Sequence, residues 1–177
     1  MSRRAFRAWL VAFTVCLSAV STALIGSCRF PTVRALDASQ MPGLTLIREG
    51  ETVWPRGDGS WQKASWQAWR DDGTGVTFEV RWAVFVSSDQ ARRACEAELE
   101  QISIIFPMGT YSGQPLGDCC WVSPMRYEWF GGLVFCFGNC AAFVNGAVTD
   151  HASEQPLDYM LLESVARRLL ANMPGGR

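Results

Sequence analysis

Val76-Thr77-Phe78-Glu79-Val80-Arg81-Trp82-Ala83-Val84-Phe85-Val86 is the stretch from which the fold is read. Val76, Phe78, Val80, Trp82, Val84 and Val86 hold every second position, with Thr77, Glu79, Arg81, Ala83 and Phe85 between them. A period of two belongs to a strand, and it predicts one buried face and one mostly wet face. Trp82 falls on the buried side. Upstream, residues 64–70 read as a second strand, joined to the first through Asp71-Asp72-Gly73-Thr74-Gly75, so the two form an antiparallel hairpin. Residues 44–48 (Leu44-Thr45-Leu46-Ile47-Arg48) are a further strand. Residues 50–60, rich in Gly, Pro and charge, read as a loop.

Downstream the period changes to that of a helix. Ser88 is the expected N-cap, with Asp89 in the first turn. Ala91, Ala94, Cys95, Leu99, Ile102 and Ile105 make an apolar stripe spaced by three or four, and Glu96, Glu98 and Glu100 read as a solvated face. Phe106-Pro107 ends the helix. A loop over residues 108–117, with the turn Leu116-Gly117-Asp118, leads to strands at 119–122 and around 126–130. Residues 133–137 and 140–144 flank Gly138-Asn139, which suits a hairpin turn with positive φ. A second helix is expected from Pro156 to Ala171, with Leu157, Met160, Leu161, Val165 and Leu169 as its stripe and Pro174-Gly175-Gly176 as its stop. The order predicts an α+β domain: a single antiparallel sheet with two helices packed on it. Strands followed by a helix, twice, also suggest a pseudo-repeat.

The 177 residues comprise 16 Lys and Arg, 17 Asp and Glu and one His, with a net charge of −1. Removing residues 1–27, with Arg3, Arg4 and Arg7, leaves 13 basic against 17 acidic residues. That balance, without clustered Lys or Arg, gives no footprint for nucleic acid. The mature length suits one domain over residues 44–177.

The N-terminus carries three arginines and then no charge from Ala8 to Cys28, with small residues at Ser18-Ala19-Val20-Ser21-Thr22-Ala23. It closes on Leu24-Ile25-Gly26-Ser27-Cys28, followed by Arg29. These residues resemble the lipobox of bacterial lipoproteins, with Gly26 where Ala, Ser or Thr is more usual. The resemblance covers the signal alone. It implies cleavage after residue 27, a lipid on Cys28, a tether over residues 28–43 and attachment to a membrane. Arg29, in place of an inner-membrane aspartate, favours the outer membrane or cell surface. Two other readings stay open: an uncleaved anchor, for which about 20 apolar residues suffice, and secretory cleavage near Ala23. All three place the domain outside the cytoplasm. The mature part resembles no characterised family.

Seven cysteines are present. With Cys16 in the signal and Cys28 lipidated, Cys95, Cys119, Cys120, Cys136 and Cys140 remain, and an oxidising compartment should largely pair them. Adjacent Cys119 and Cys120 point to opposite faces of a strand. A three-residue loop would set Cys136 opposite Cys140, so that bridge is expected first, followed by Cys95 to Cys119 or Cys120. Competing readings are a metal site of Cys119, Cys120, Cys136 and Cys140, thiol–disulfide exchange and a vicinal Cys119–Cys120 bridge. The first two lack the usual Cys-x-x-Cys spacing.

His151, the single histidine, lies in the polar stretch Thr149-Asp150-His151-Ala152-Ser153, and any histidine-based hydrolysis must use it. No nucleophile-elbow, zinc-protease or phosphate-loop motif accompanies it, so no catalytic residue is assigned. Among the dense tryptophans Trp54, Trp61, Trp66, Trp69 and Trp82, Trp61 and Trp69 are candidates for ligand contact. The resulting expectation is a membrane-anchored extracytoplasmic binding or accessory domain, without a cofactor, with an envelope protein or peptide as partner. A structural envelope protein, and an enzyme using thiol redox or His151, are the alternatives.

Overall fold

The structure is a computed structural model that describes residues 32–104, 108–111, 113, 115–123, 130–148 and 157–176. Seven strands make one antiparallel sheet: β1 (Leu44–Pro55), β2 (Trp61–Asp71), β3 (Val76–Val84), β4 (Gly109–Thr110), β5 (Cys119–Val122), β6 (Phe130–Phe137) and β7 (Cys140–Val148). Their order is β1-β2-β3-β7-β6-β5-β4. Two helices, α1 (Ser88–Ser103) and α2 (Tyr159–Ala171), pack on it. The domain is α+β, as the pattern predicts.

The β2–β3 hairpin forms where expected. Asp71 Oδ1 accepts the Gly73 N–H at 2.8 Å, and the Gly75 N–H reaches the Asp71 carbonyl at 2.9 Å. Gly75 supplies the positive φ (72°) that other residues avoid. β1 runs far past the expected strand, however, to Pro55. It is the sheet's edge, mostly exposed, with an irregularity between Leu46 and Arg48 and an ion pair from Glu51 to Lys63 at 2.5 Å. An edge strand needs few apolar residues, and a bulge and charges are the usual guard against pairing with other chains.

The two helices lie on opposite faces of the sheet. Phe78, Val80, Trp82, Leu133, Phe135, Ala142 and Val144 pack with Leu162, Val165 and Leu169 of α2. Ala64, Ala83, Val134, Cys136, Ala141 and Phe143 pack with Ala91, Ala94 and Cys95 of α1. The face of β3 expected to be wet is therefore partly covered. The α1 side explains itself by size. Ala64, Ala83, Ala141, Cys136 and Cys119 form one row across five strands, facing alanines on α1. Small side chains on both surfaces let the helix come close enough for Cys95 Sγ to lie 3.3 Å from the Phe135 carbonyl oxygen.

Strands followed by a helix occur twice, as the pattern suggests, and the opposite placement of the helices limits that repeat to order. Each half is strands followed by a helix, and β3 meets β7 antiparallel at the centre. A twofold axis relating such halves stands normal to the sheet and leaves both helices on one face, so the repeat is one of order only.

Helix ends shift slightly. The cap of α1 is Ser87, whose side chain accepts from the Gln90 N–H, one residue before the expected Ser88. The cap of α2 is Asp158, bonded to the Met160 N–H; the expected start at Pro156 lies outside the described residues, as do 126–129, Phe106 and Pro107. The buried stripe of α2 is Leu162, Val165, Ala166 and Leu169, whereas Met160 is 81% exposed. Residues 32–43, expected as a tether, belong to the domain: Leu36 and Met41 are buried in the α2-side core. Buried Gln67 binds the Leu36 backbone twice, accepting its N–H at 3.1 Å and donating to its carbonyl at 3.0 Å. Asn172 after α2 holds Gln40 and the Ala35 carbonyl.

The turn Leu116-Gly117-Asp118 closes the far end. Leu116 is buried, the Asp118 N–H bonds the Cys136 carbonyl at 2.7 Å, and Asp118 Oδ2 accepts the Gly138 N–H at 2.7 Å. Gly117 has φ 72°, and a Cβ there would run into the Cys136 carbonyl oxygen, whereas Gly138 (φ 54°) meets nothing nearby. Gly117→Ala should therefore cost about 3 kcal/mol, and Gly138→Ala only about 1 kcal/mol. Urea unfolding of both variants measures the difference, and equal losses would refute the crowding at Gly117.

Candidate functional site

The cysteines fall differently from the expected pairing. One bridge joins Cys119 to Cys136, which are directly opposite on β5 and β6 with Cα atoms 5.5 Å apart. Cys136 does not bridge Cys140, because the hairpin turn has two residues and pairs Phe137 with Cys140. That register turns Cys136 to the α1 face and Cys140 to the α2 face. Nor does Cys95 bridge Cys119 or Cys120. Cys119 and Cys120 face opposite sides as expected, which excludes the vicinal bridge, and the Cys119–Cys136 bond removes two of the four thiols of the metal reading. Closing a separation of 17 residues, the bridge stabilises by about 3 kcal/mol in the chain-entropy account.

Cys95, Cys120 and Cys140 are free thiols. Burial pushes Cys95 far up; it pushes Cys120 to about 12, with the nearby Glu163 carboxylate adding to it, and Cys140 to about 11. A thiol is nucleophilic as the thiolate, so none of the three is poised for exchange at neutral pH.

Trp69 is 1% exposed within the α2-side core, which corrects its assignment as a ligand contact. Trp61 is 57% exposed at the start of β2. Trp66 is half-buried and lies over Gly50 of β1. Trp54, expected in a loop, is fully buried, and its indole N–H donates to the Ala94 carbonyl of α1 at 3.1 Å. His151 and Cys28 lie outside the described residues.

A charged pair is buried between α1 and the sheet. Glu98, expected on a solvated face, is 5% exposed and forms an ion pair with Arg81 of β3. The Arg81 guanidinium sits 4.7 Å from the Trp54 ring centroid and 5.6 Å from that of Phe143, within cation–π range of both. Burial raises the Glu98 carboxyl above its ordinary value, against the opposing pull of Arg81, and Glu79 adds to the rise. Both charges are spent on each other and on the rings, so the pair fastens α1 rather than offering itself to a ligand.

Two of the surface depressions gather arginines. One, of about 420 Å³, lies along the outer side of α2 by Met160, Glu163, Ser164, Arg167, Arg168 and Ala171. Two of its charges engage each other: Arg167 binds Glu163 at 2.6 Å, and Tyr111 also bonds Glu163, which holds that carboxyl below its usual range. Among the described residues Arg168 donates only to the Met41 sulfur at 3.8 Å. The other, of about 360 Å³, is a notch between the β1–β2 loop and the first turns of α1, lined by Arg56, Gly57, Asp58, Gln90 and Arg93.

The fold holds the two walls of that notch together. Trp54, two residues before Arg56, is bonded to α1, and Gly57 (φ 81°) lies so near the Arg93 carbonyl that a Cβ would come within 3.2 Å of it. Arg56 is steadied by Gln62 Oε1, which accepts from its Nε at 3.0 Å and also from Nη2. Gln90 Oε1 accepts the Val86 N–H at 3.3 Å, which leaves its amide NH2 as the outward group. Among the described residues the Arg93 side chain makes no hydrogen bond or ion pair. Asp58 turns Oδ1 to the Ser60 N–H and hydroxyl at 2.9 and 2.6 Å, and these bonds hold its carboxyl below the usual range. Nothing in the sequence pattern marked Arg56 or Arg93, which stand far apart in the chain.

No family model and no curated protein matches this chain.

Two outcomes follow from the buried groups. Iodoacetamide at neutral pH should modify Cys95, Cys120 and Cys140 at least about tenfold more slowly in the native protein than in denaturant; a native thiol reacting at the denatured rate would refute the burial. The raised Glu98 carboxyl binds its proton more tightly folded than unfolded, so its contribution is present below the ordinary value of 4.5 and is lost as pH rises through the raised value. The stability of the parent relative to Glu98→Gln should therefore increase as pH falls from 7. Urea titrations across that range measure it, and a constant difference would contradict the shift.

Proposed function

We propose that the chain is a membrane-anchored extracytoplasmic binding or accessory domain, held to the membrane by a lipid on Cys28. The observation that carries the binding reading is the notch, where Arg93 and the Gln90 amide present donors that the fold does not consume. Beside them stands Arg56, whose Nε and Nη2 are held by Gln62 and whose Nη1 is left over among the described residues. Internal ion pairs use up the charges of Arg81 and Arg167; Arg93 has no such use. The Cys119–Cys136 bridge supports an oxidising compartment, and the lipobox-like run ending at Cys28 supports the anchor. Exposed Trp61, at the same hairpin end of the sheet, is a second group through which an envelope protein or peptide could be engaged.

The thiol-redox alternative is less well supported. The three free thiols are buried or half-buried and their pKa values are raised, which opposes nucleophilic attack. An enzyme using His151 draws no support from the described residues.

The intact mass of the protein from the membrane fraction tests the anchoring. The expected species begins at Cys28 and carries acyl chains, and Cys28→Ser should leave the chain unlipidated. A mass that retains residues 1–27, or one that starts near Leu24 without lipid, would overturn it.

A further inference from the structure

We propose that the notch between the β1–β2 loop and α1 binds a phosphate group, carried by a small phosphate ester or by a lipid headgroup. This deepens the binding reading above and rests on it.

The chemistry of the lining carries the inference. Arg56 and Arg93 are always cationic at physiological pH, and a guanidinium offers paired N–H donors matched to oxyanions. The Gln90 amide adds a third, neutral donor, since its oxygen is held by the Val86 N–H. Three side-chain donors from two elements suit an anion with three or more exposed oxygens. A carboxylate has two and is saturated by one guanidinium fork. Asp58 is the single carboxylate of the lining, so the notch carries one positive charge in excess. One Asp58 oxygen is engaged by Ser60, and the carboxylate also feels the Arg56 charge, so the cation in excess is Arg93.

Preorganisation strengthens the case. Arg56 is fixed by Gln62, and the loop is fixed on α1 through Gly57 and Trp54, so an anion would find two of its partners already placed. Arg93, exposed and unpaired among the described residues, loses side-chain freedom on binding but abandons no internal partner. The notch, at about 360 Å³, is larger than a phosphate alone, which leaves room for the ester that carries it.

The test is a titration followed by 1H–15N NMR on the full chain, purified in a phosphate-free maltoside detergent at constant ionic strength. The probes are inorganic phosphate, glycerol 3-phosphate, monomeric short-chain phosphatidic acid and acetate. Saturable shifts at the Arg56 and Arg93 Nε–H signals and at the Gly57 and Gln90 amides are expected with the three phosphates. Arg93→Gln should weaken them at least about tenfold, equivalent to about 1.4 kcal/mol. Arg48→Gln on exposed β1 should leave them unchanged. Tighter binding of phosphatidic acid than of glycerol 3-phosphate would assign a headgroup, and equal binding a soluble ester; either supports the site. Acetate binding as well as phosphate, shifts spread evenly over all arginines, or an Arg93→Gln variant that folds and titrates like the parent would overturn it. Those results would leave the Cys28 anchor standing, because the mass measurement decides that separately.

Discussion

The register of β6 against β7 is the constraint on which most of this structure depends. Gly138 and Asn139 alone make the turn, so Phe137 pairs with Cys140 and Cys136 with Ala141. Because a strand's side chains alternate, that count decides which residues face α1 and which face α2. With β5 paired to β6 so that Cys119 faces Cys136, it completes the row of small residues beneath α1 and turns Cys140 into the opposite core. A turn one residue longer would pair Cys136 with Cys140 and put both on one face of the sheet. Asp118 and Asn139 hold the turn in place, the first through the Gly138 N–H and the second through the Phe85 carbonyl at 2.8 Å.

From that register the rest of the packing follows. Ala83 and Ala141 lie side by side at the centre of the sheet, and α1 settles on them while carrying the chain from β3 to the far edge at β4. Burying both faces of the central strands stabilises at roughly 25 cal/mol per Å² of apolar surface, and it requires that polar groups on those faces be satisfied. Arg81 and Glu98 satisfy each other beneath α1, and Gln67 satisfies the Leu36 backbone beneath the N-terminal segment. The sheet thus becomes a three-layer domain whose first residues, 32–43, form part of one layer. The notch arises where α1 begins and β1 turns over, at the same end of the strands as the β6–β7 turn, whose Asn139 pairs with Phe85 just before α1.

The central hairpins were legible because their signals are local. Period two in β3, the Asp71–Gly75 turn, the Gly138-Asn139 turn and the stripe Ala91-Ala94-Cys95 each depend on neighbours within a few residues. What was not legible depends on tertiary partners. β1 is an edge strand with little apolar surface to bury, so its polar half resembles a loop, and buried Trp54 stood hidden within it. Glu98 sits among other glutamates in a pattern that matches a wet helix face, and only Arg81, on a different strand, marks it as buried. The cysteine pairing turned on a single residue of loop length, below the resolution of any spacing argument. The notch is assembled from residues 56–58 and 90–93, and no period or motif connects them. Trp61 is the one tryptophan candidate that the fold leaves accessible.

The functional account therefore rests on a rigid, bridged domain with one donor-rich depression beside its buried charges. Its central structural claim is the register of β6 against both its neighbours, and the cysteine linkages report it. The Cys119–Cys136 bridge reports the pairing with β5, and an unlinked Cys140 reports the two-residue turn to β7. Proteolysis of the native protein without reductant, followed by mass spectrometry of the linked peptides, should find Cys119 joined to Cys136, with Cys95, Cys120 and Cys140 unlinked. A linkage of Cys136 to Cys140, or of Cys95 to either neighbour on β5, would contradict the register and with it the placement of α1.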